Sequence, residues 1–164
     1  MPGDLPRVAE IIRSANLEYA SAMPDGRWER YVERASDLES RLSDTTLLVA
    51  ELAGRLVGTL TVYERGERSP GENWPVGWVG LRLLAVDPDG RGYGVGRALM
   101  EASIKRARAL GASAVALHTM EYMSVARAMY ERMGFERIPE HESHTGSGRT
   151  VLAYCLPLRE PAQT

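Results

Sequence analysis

The chain has 164 residues, of which 44% are apolar and 26% are charged, and its formal net charge at pH 7 is −2. This length is enough for one domain with a sizeable core, so the sequence predicts a single domain over residues 1–164. A slightly negative charge gives no general attraction to nucleic acid or to a membrane, and no apolar run is long enough to span a bilayer. A single cysteine, Cys155, excludes an internal disulfide, and the sequence starts without a signal peptide, which predicts a cytoplasmic protein.

The first third of the chain predicts two helices and a hairpin. Apolar residues at helical spacing predict a helix over residues 5–19 with Asp4 as its N-cap, and a charged amphipathic helix over residues 27–42. Two β-rich runs, residues 46–51 and 56–63, are separated by a glycine-containing turn and predict an antiparallel hairpin.

The middle of the chain predicts a loop and then a strand. Residues 65–75 are polar and contain glycine and proline, which is typical of a surface loop, although Asn73 and Trp74 could cover a substrate. Residues 77–86 are an apolar strand that stops before Pro88, because proline has no N–H to donate to a sheet.

Glycines crowd into the seven residues after this strand, and helical spacing resumes at Val95. They are Gly90, Gly92, Gly94 and Gly96. The first N–H groups of a helix have no intrahelical partner and lie at the positive end of the helix dipole. Glycine lets the backbone approach a ligand, so these N–H groups can surround phosphate oxygens, with Arg91 as a nearby cation. The strand, turn and helix together predict a site for a diphosphate.

Three other interpretations of the turn are weaker. A Walker loop ends in Gly-Lys-Ser/Thr, whereas this chain has Gly96-Arg97-Ala98. The dinucleotide fingerprint G-x-G-x-x-G is one residue out of register with the glycines present. A structural turn that uses glycine only for positive φ is the remaining alternative.

The rest of the chain alternates strands and helices. Residues 114–120 form an apolar strand, and residues 124–133 form a helix with one apolar stripe that ends at Gly134 in a left-handed cap. A final hairpin is predicted between residues 135–138 and 150–156.

Two blocks of this sequence resemble the GCN5-related N-acetyltransferase (GNAT) superfamily. The first is Arg91-x-x-Gly94-x-Gly96 after Leu-Ala-Val-Asp-Pro, and the second is Ser124-x-x-Ala-x-x-x-Tyr130-x-x-x-Gly134-Phe135. The resemblance covers nearly the whole chain. It implies an α/β fold with a mixed, mostly antiparallel central sheet, flanking helices and splayed central strands. The family's first edge strand has almost no counterpart before Gly3-Asp4-Leu5-Pro6, so this strand is either missing or lies upstream of Met1 in a longer native chain.

The resemblance implies that acetyl-CoA is the co-substrate and enters a gap between residues 84–86 and 117–119. The acetyl group would pass directly to an amine of a small-molecule or peptide acceptor, without metal, nucleic acid or membrane, and family members are often homodimers. Tyr130 would protonate the leaving CoA thiolate as catalytic acid. The residues that the resemblance assigns to cofactor binding are Leu84, Ala85, Val86, Arg91, Gly92, Tyr93, Gly94, Val95, Gly96, Arg97, Ser124 and Tyr130.

The general base stays open at this point. Many relatives carry a glutamate on the strand before the glycine turn, but this strand has none. Glu51, His118, Glu121 and a chain of water molecules are candidates. The missing carboxylate also keeps a second hypothesis open, a non-catalytic acyl-CoA-binding module of the same fold.

Some residues outside the two blocks allow more than one interpretation. The predicted helix pair flanks the acceptor site in the family, so Trp28 and Tyr31 could contact substrate, although core packing is common for such residues. His141, Glu142 and His144 loosely resemble a metal site, but a polar loop is the better interpretation. Cys155 is interpreted as a small buried side chain.

Overall fold

The computed structural model describes residues 2–22, 26–37, 45–146 and 148–158. The α-helices within them are α1 (Leu5–Asn16), α2 (Arg27–Ser36), α3 (Val95–Ala109) and α4 (Ser124–Arg132). The strands are β1 (Thr46–Leu52), β2 (Arg55–Tyr63), β3 (Trp78–Val86), β4 (Ala114–Met120), β5 (Glu136–Arg137), β6 (Ser143–His144) and β7 (Thr150–Pro157). The predicted order of elements is confirmed, and β6 is an addition to it.

The strands pair in the order β1-β2-β3-β4-β7-β5, and β6 also pairs with β7. β3 and β4 run parallel, with Trp78 opposite Ala114 and Leu81 opposite Leu117 at the ends of the register. The pairs β1–β2, β4–β7, β5–β7 and β6–β7 are antiparallel. The predicted fold class, a mixed and mostly antiparallel sheet flanked by helices, is confirmed.

The chain divides into two compact units. The first comprises Met1–Val62 and Leu83–Ser103, and the second comprises Tyr63–Arg82 and Ile104–Thr164. Both β3 and α3 contribute residues to each unit. The single domain expected from the chain length stays a prediction.

The apolar face of α1 forms the core of the first unit. Val8, Ile11 and Ile12 are fully buried, at the spacing of one helical face. They cluster with Ala35 of α2 and Ala85 of β3. Burial of one such aliphatic side chain contributes about 1.5–3 kcal/mol, so this face fixes α1 in the unit.

The ends of the first two helices differ from the prediction. Asp4 has φ −87° and ψ −14° and makes no side-chain cap hydrogen bond, because the 3₁₀ turn Pro2–Asp4 already leads into the helix. Asp4 therefore occupies the predicted N-cap position, but its backbone is already helical and its side chain does not cap the helix. α1 also ends at Asn16 and continues as the 3₁₀ turn Leu17–Ala22. The predicted break at residues 23–25 and the predicted end of α2 at residue 42 lie outside the described residues.

The β1–β2 hairpin is confirmed, together with its turn. Leu52 lies opposite Arg55, so the connection is the pair Ala53-Gly54. Their φ angles are +52° and +78°. Two consecutive left-handed residues are the geometry that two-residue hairpin loops favour.

In the second unit, the two faces of β4 and β7 contact different partners. Tyr154 of β7 lies opposite Leu117 of β4, and its ring centroid is 6.2 Å from that of Tyr130 in α4. On the other face, Ala116 and Ala153 cluster with Trp74. The alternation of side chains along each strand therefore separates a tyrosine layer from a tryptophan layer.

Trp74 corrects the prediction of a plain surface loop over residues 65–75. Its side chain is only 2% exposed. A Cβ at Gly80 would lie 3.0 Å from Trp74 Cδ1, and one at Gly66 would lie 3.2 Å from Trp74 Cβ. The Trp74 side chain thus packs on two glycines and belongs to the core.

The end of α4 matches its prediction. Gly134 has φ +94°, and its N–H donates to the carbonyl of Glu131 at 3.1 Å. The N–H of Phe135 donates to the carbonyl of Tyr130 at 3.0 Å, which completes a Schellman cap. The rings of Phe135 and Tyr130 lie 5.9 Å apart, so the cap also holds the tyrosine layer.

Candidate functional site

Asp87 holds the start of the glycine turn. It is 5% exposed, its N–H donates to the carbonyl of Val57 at 2.7 Å, and its carboxylate accepts from the N–H of Asp89 at 2.9 Å. The N–H of Gly90 donates to the Asp87 carbonyl at 2.8 Å. A Cβ at Gly90 would lie 2.8 Å from Val57 Cβ, so only glycine allows this close approach to β2. The turn therefore leaves β3 in a defined conformation.

Arg7 of α1 anchors the same turn through its side chain. Its guanidinium donates to the carbonyl of Leu56 at 2.9 and 3.1 Å and to Asp87 Oδ2 at 3.2 Å. The Arg7 and Asp87 side chains are 20% and 8% exposed, so these charge-assisted bonds are largely shielded. Sequence analysis missed this anchor, because an arginine on the polar face of a helix is too common a signal.

Gly92 and Gly94 give the turn an open surface. Their φ angles are +85° and +74°, and a Cβ at either position would meet no described atom within 4 Å. The first hydrogen bond of α3 runs from the N–H of Ala98 to the carbonyl of Gly94 at 3.0 Å. The N–H groups of residues 95–97 therefore lack intrahelical partners. Open glycines beside a helix N-terminus are the geometry of an anion site.

Two cations belong to the predicted site, and both are paired. Arg91 Nη2 lies 3.0 Å from Glu18 Oε1, and Arg97 Nε lies 2.8 Å from Glu101 Oε1. All four side chains are about half exposed. Exposed ion pairs contribute only about 0–1 kcal/mol, so a phosphate can compete for either arginine. Tyr93 is 68% exposed beside them.

Leu83 bends β3 just before the predicted pantetheine-binding residues. Its φ is +58°, a conformation that costs a non-glycine residue on the order of 1–3 kcal/mol. Its side chain packs on the same core as Ala85. Such strain concentrates at functional sites, which supports a role for residues 84–86. The predicted gap between residues 84–86 and 117–119 stays a prediction.

Ser124 and Tyr130 lie on α4 in the second unit. Ser124 is the first helical residue and is exposed, whereas Tyr130 is 6% exposed between Phe135 and Tyr154. The hydroxyl of Tyr154 donates to Glu131 Oε1 at 2.9 Å. Of the predicted apolar stripe, Tyr130 is buried and Ala126, Met129 and Met133 are partly buried. The cofactor and acid roles of Ser124 and Tyr130 stay predictions.

A buried ionic cluster, which sequence analysis missed, is centred on Glu72. Its Oε1 accepts from the hydroxyl of Ser69 at 2.7 Å and pairs with Arg82 Nε at 3.1 Å. Its Oε2 lies 2.7 Å from His118 Nδ1, and the His118 ring stacks on Trp74 with centroids 4.4 Å apart. The cluster joins a loop, β3 and β4, so no single stretch of sequence signals it.

His118 faces an acceptor at each ring nitrogen. Nδ1 faces the Glu72 carboxylate, and Nε2 lies 2.9 Å from the carbonyl of His141. Burial alone would lower the pKa of His118, but the hydrogen bonds with Glu72 and His141 and the charge of Glu72 outweigh it and raise the pKa above its ordinary value. A neutral imidazole has one N–H, so only the imidazolium satisfies both acceptors. In that form His118 has no lone pair with which to act as a base.

The two carboxylates predicted as candidate bases gain no support from their surroundings. Glu121 is exposed, and its carboxylate accepts from the N–H of Thr150 at 2.8 Å. Hydrogen bonding to Thr150 holds the pKa of Glu121 below its ordinary value, which weakens it as a base. Glu51 is an exposed residue of β1 opposite Leu56. We therefore assign neither as the base.

A cavity of about 290 Å³ lies at the carboxyl end of β4. Its lining residues are Met120, Glu121, Tyr122 and Arg149. The guanidinium carbon of Arg149 lies 5.4 Å from the ring centroid of Tyr122, a cation–π arrangement.

A second cavity of about 520 Å³ lies along α1 and α2 in the first unit. Trp28 lines it, and the indole N–H donates to the carbonyl of Asn16 at 3.2 Å. Tyr31 is half-buried. The predicted substrate contacts of both residues stay predictions.

The loosely metal-like residues have other partners. Glu142 accepts two hydrogen bonds from Arg137 at 2.6 and 3.0 Å, and the carbonyl of His141 faces His118. Across the described ranges, no three His, Cys, Asp or Glu side chains are grouped to hold a metal ion. Burial raises the pKa of the Cys155 thiol, as expected for a packed side chain. In the same part of the chain, every helix is too short or too polar to cross a bilayer.

The mixed sheet and the open glycine turn after β3 have the geometry of a site for a phosphate-bearing ligand. Residues 9–135 match the model of the Acetyltransferase (GNAT) family. The chain therefore belongs to the GNAT acetyltransferase family.

Known relatives agree with this assignment. The chain is 29% identical over 126 residues to a mycothiol acetyltransferase of Geodermatophilus obscurus, and the match covers 77% of this chain and 40% of that protein. It thus spans about two fifths of the length of that relative.

Solved structures share the fold. One is the PaiA N-acetyltransferase of Thermoplasma acidophilum in complex with coenzyme A, with a TM-score of 0.70, 17% identity and coverage of 92% of each chain. Another is a GNAT family acetyltransferase of Brucella melitensis in complex with acetyl-CoA, with a TM-score of 0.62, 20% identity and coverage of 99% of this chain and 87% of that chain.

Proposed function

We propose that the protein moves the acetyl group of acetyl-CoA directly to an amine of a small-molecule or peptide acceptor. The observation that carries this proposal is the open turn, in which the left-handed Gly92 and Gly94 precede the N-terminus of α3. Two neighbours in fold were solved with coenzyme A or acetyl-CoA. The non-catalytic alternative is not favoured, because the relatives are named as acetyltransferases.

The residues of the turn fit the pyrophosphate of coenzyme A. A side chain at position 92 or 94 would fill the space that the two glycines leave open. N–H groups of residues 91–97 bind the phosphate oxygens, and Arg91 and Arg97 exchange their exposed carboxylate partners for phosphate. The family resemblance assigns the pantetheine arm to the backbone of residues 84–86, and a further polar contact with it to Ser124.

When bound, acetyl-CoA supplies an activated thioester carbonyl. A backbone N–H at Ala85 or Val86 donates to the carbonyl oxygen, where negative charge develops during transfer. Tyr130 donates a proton to the leaving sulfur, because a phenol with an ordinary pKa near 10 is protonated at neutral pH. Phe135 and Tyr154 hold the Tyr130 ring in place.

The amine acceptor loses its proton to water. Both ring nitrogens of His118 already face an acceptor, and the pKa of Glu121 is below its ordinary value, so neither protein group is suited to take this proton. A homodimer and a cytoplasmic location remain predictions from the resemblance and the composition.

Calorimetric titration of the purified chain with acetyl-CoA tests the proposal, with NAD and ATP as controls. We expect saturable binding of acetyl-CoA and weaker or no binding of the controls, because only coenzyme A combines a diphosphate with a pantetheine arm. Equal binding of all three ligands, or of none, would contradict the proposal.

A further inference from the structure

The cavity at the carboxyl end of β4 has the composition of a ligand site. Met120 and Tyr122 contribute apolar and aromatic lining, and the charged lining residues are Glu121 and Arg149. Small-molecule sites combine apolar surface with a few placed polar groups in this way. Its volume of about 290 Å³ suits a small molecule or one end of a larger one.

Arg149 forms no salt bridge with the described residues, and the Glu121 carboxylate is close enough for the two charges to interact. Its N–H donates to the hydroxyl of Thr145 at 3.1 Å, its carbonyl accepts from the N–H of Thr145 at 2.8 Å, and its guanidinium lies over the ring of Tyr122. Arginines such as Arg82 and Arg137 form salt bridges with carboxylates. Arg149 forms no salt bridge with any of the residues that the structure describes. An exposed guanidinium that lies over an aromatic ring and forms no salt bridge keeps its N–H groups for a planar anion.

Glu121 limits which anion fits. The backbone N–H of Thr150 fixes its carboxylate, and Arg127 Nη1 donates to its carbonyl at 3.0 Å. One fixed negative charge beside one positive charge repels a dianion such as phosphate. The same pair suits a ligand that carries one carboxylate and one ammonium.

The position of the cavity connects it with transfer. Ligands of sheets with parallel strands bind beyond the carboxyl ends of those strands, and β4 is one of the two parallel strands. Tyr122 is separated from Ser124, the start of α4, by a single residue. The cavity therefore lies next to the N-terminus of α4, the helix that carries Tyr130.

We propose that this cavity binds the carboxylate of the acceptor through Arg149, so that the acceptor is an amine that also carries a carboxylate. This inference rests on the proposed transfer of acetyl to an amine. Free amino acids and peptides with a nearby carboxylate share this chemistry.

Acetylation rates of matched acceptors test the inference. The panel contains an amino acid and its carboxamide, and a tripeptide with a free or an amidated C-terminus. Each acceptor is assayed with wild type, Arg149→Gln, Arg149→Lys and the control Arg108→Gln, which removes the same charge from an exposed residue near the end of α3. Because the amine pKa of each acceptor is the same for all four proteins, the ratio of acid to amide isolates the carboxylate contact.

We expect wild type to prefer the acid form, and Arg149→Gln to reduce kcat/KM for it about 10- to 100-fold, mainly through KM, as for loss of a charge-assisted hydrogen bond. Arg149→Lys should retain part of the preference and Arg108→Gln all of it. A larger acid preference for the amino acid than for the tripeptide would indicate a free amino acid as the acceptor. A larger preference for the tripeptide would indicate a peptide. An acid-to-amide ratio that is unchanged in Arg149→Gln would overturn the inference and leave the proposed function standing. Absence of acetyl transfer to every amine would overturn both.

Discussion

The glycine turn and the Glu72 cluster differ in how their polar groups are used. In the turn, Gly92 and Gly94 face open space, and the first N–H groups of α3 have no intrahelical partner. In the cluster, each oxygen of Glu72 has a partner, and both ring nitrogens of His118 face an acceptor. One region leaves hydrogen-bonding capacity for a ligand, and the other satisfies it internally. We therefore expect changes in the turn to affect binding and changes around the cluster to affect stability.

The largest effect is expected for Gly94→Glu. A glutamate there adds backbone strain at φ +74° and places a negative charge at the diphosphate site. Juxtaposed like charges cost several kcal/mol, so we expect acetyl-CoA affinity to fall by more than about 1,000-fold in calorimetric titration. Gly111→Glu is the matched control, because Gly111 has φ +72°, is equally open and lies beyond the other end of α3. Similar losses in both variants would attribute the effect to strain rather than to the turn.

Trp74→Ala tests the expectation that changes around the Glu72 cluster affect stability. Removing this fully buried indole leaves a cavity against Ala116 and Ala153. We expect the free energy of unfolding to fall by about 3–5 kcal/mol in chemical denaturation, with unchanged acetyl-CoA affinity in the folded protein. Trp28→Ala, at the indole that lines the cavity along α1 and α2, should cost less. An unchanged unfolding midpoint for Trp74→Ala would remove this residue from the core.

Tyr130→Phe separates chemistry from packing within the tyrosine layer. The variant keeps the ring and removes the proton donor, so we expect kcat to fall about 100-fold with little change in acetyl-CoA affinity. Tyr154→Phe is the control, since its hydroxyl bonds with Glu131 and Arg127 and has no assigned role in transfer. Equal kcat for Tyr130→Phe and wild type would make Tyr130 a packing residue only.

The smallest effect concerns the pH dependence of stability. The folded-state pKa of His118 is raised, so its contribution is fully present below its ordinary pKa and is lost as pH rises through the folded value. We expect His118→Gln to lower the unfolding free energy by about 1.5 kcal/mol at pH 6 and by less at pH 9. His144→Gln, at an exposed histidine, should show no such trend. A larger loss at pH 9 than at pH 6 would contradict a raised pKa of His118.

Sequence predicted the turn because all of its determinants are local. Pro88 ends the strand, the glycines permit the turn and apolar spacing starts α3, all within about 20 consecutive residues. The cap of α4 at Gly134 was predictable for the same reason. The fold class followed from the resemblance of the element order and of the two sequence blocks to the GNAT superfamily.

The parts that sequence missed depend on contacts between distant segments. Glu72 and His118 are 46 residues apart, and Arg7 and Asp87 are 80 apart. Neither pair has a local pattern, and the polar sequence around Trp74 hides a core residue. The positive φ of Leu83 also has no local signal, because leucine rarely adopts it. At Asp4 the N-cap position was predictable from the sequence, but the missing side-chain cap hydrogen bond was not, because the 3₁₀ turn before it makes its backbone helical.

Release of free CoA thiol from acetyl-CoA, measured with and without amines, tests the central claim most directly. We predict thiol release only when an accepted amine is present, with one acetylated amine formed per thiol. Saturable acetyl-CoA binding without amine-dependent thiol release would contradict catalysis and leave a binding module of the same fold.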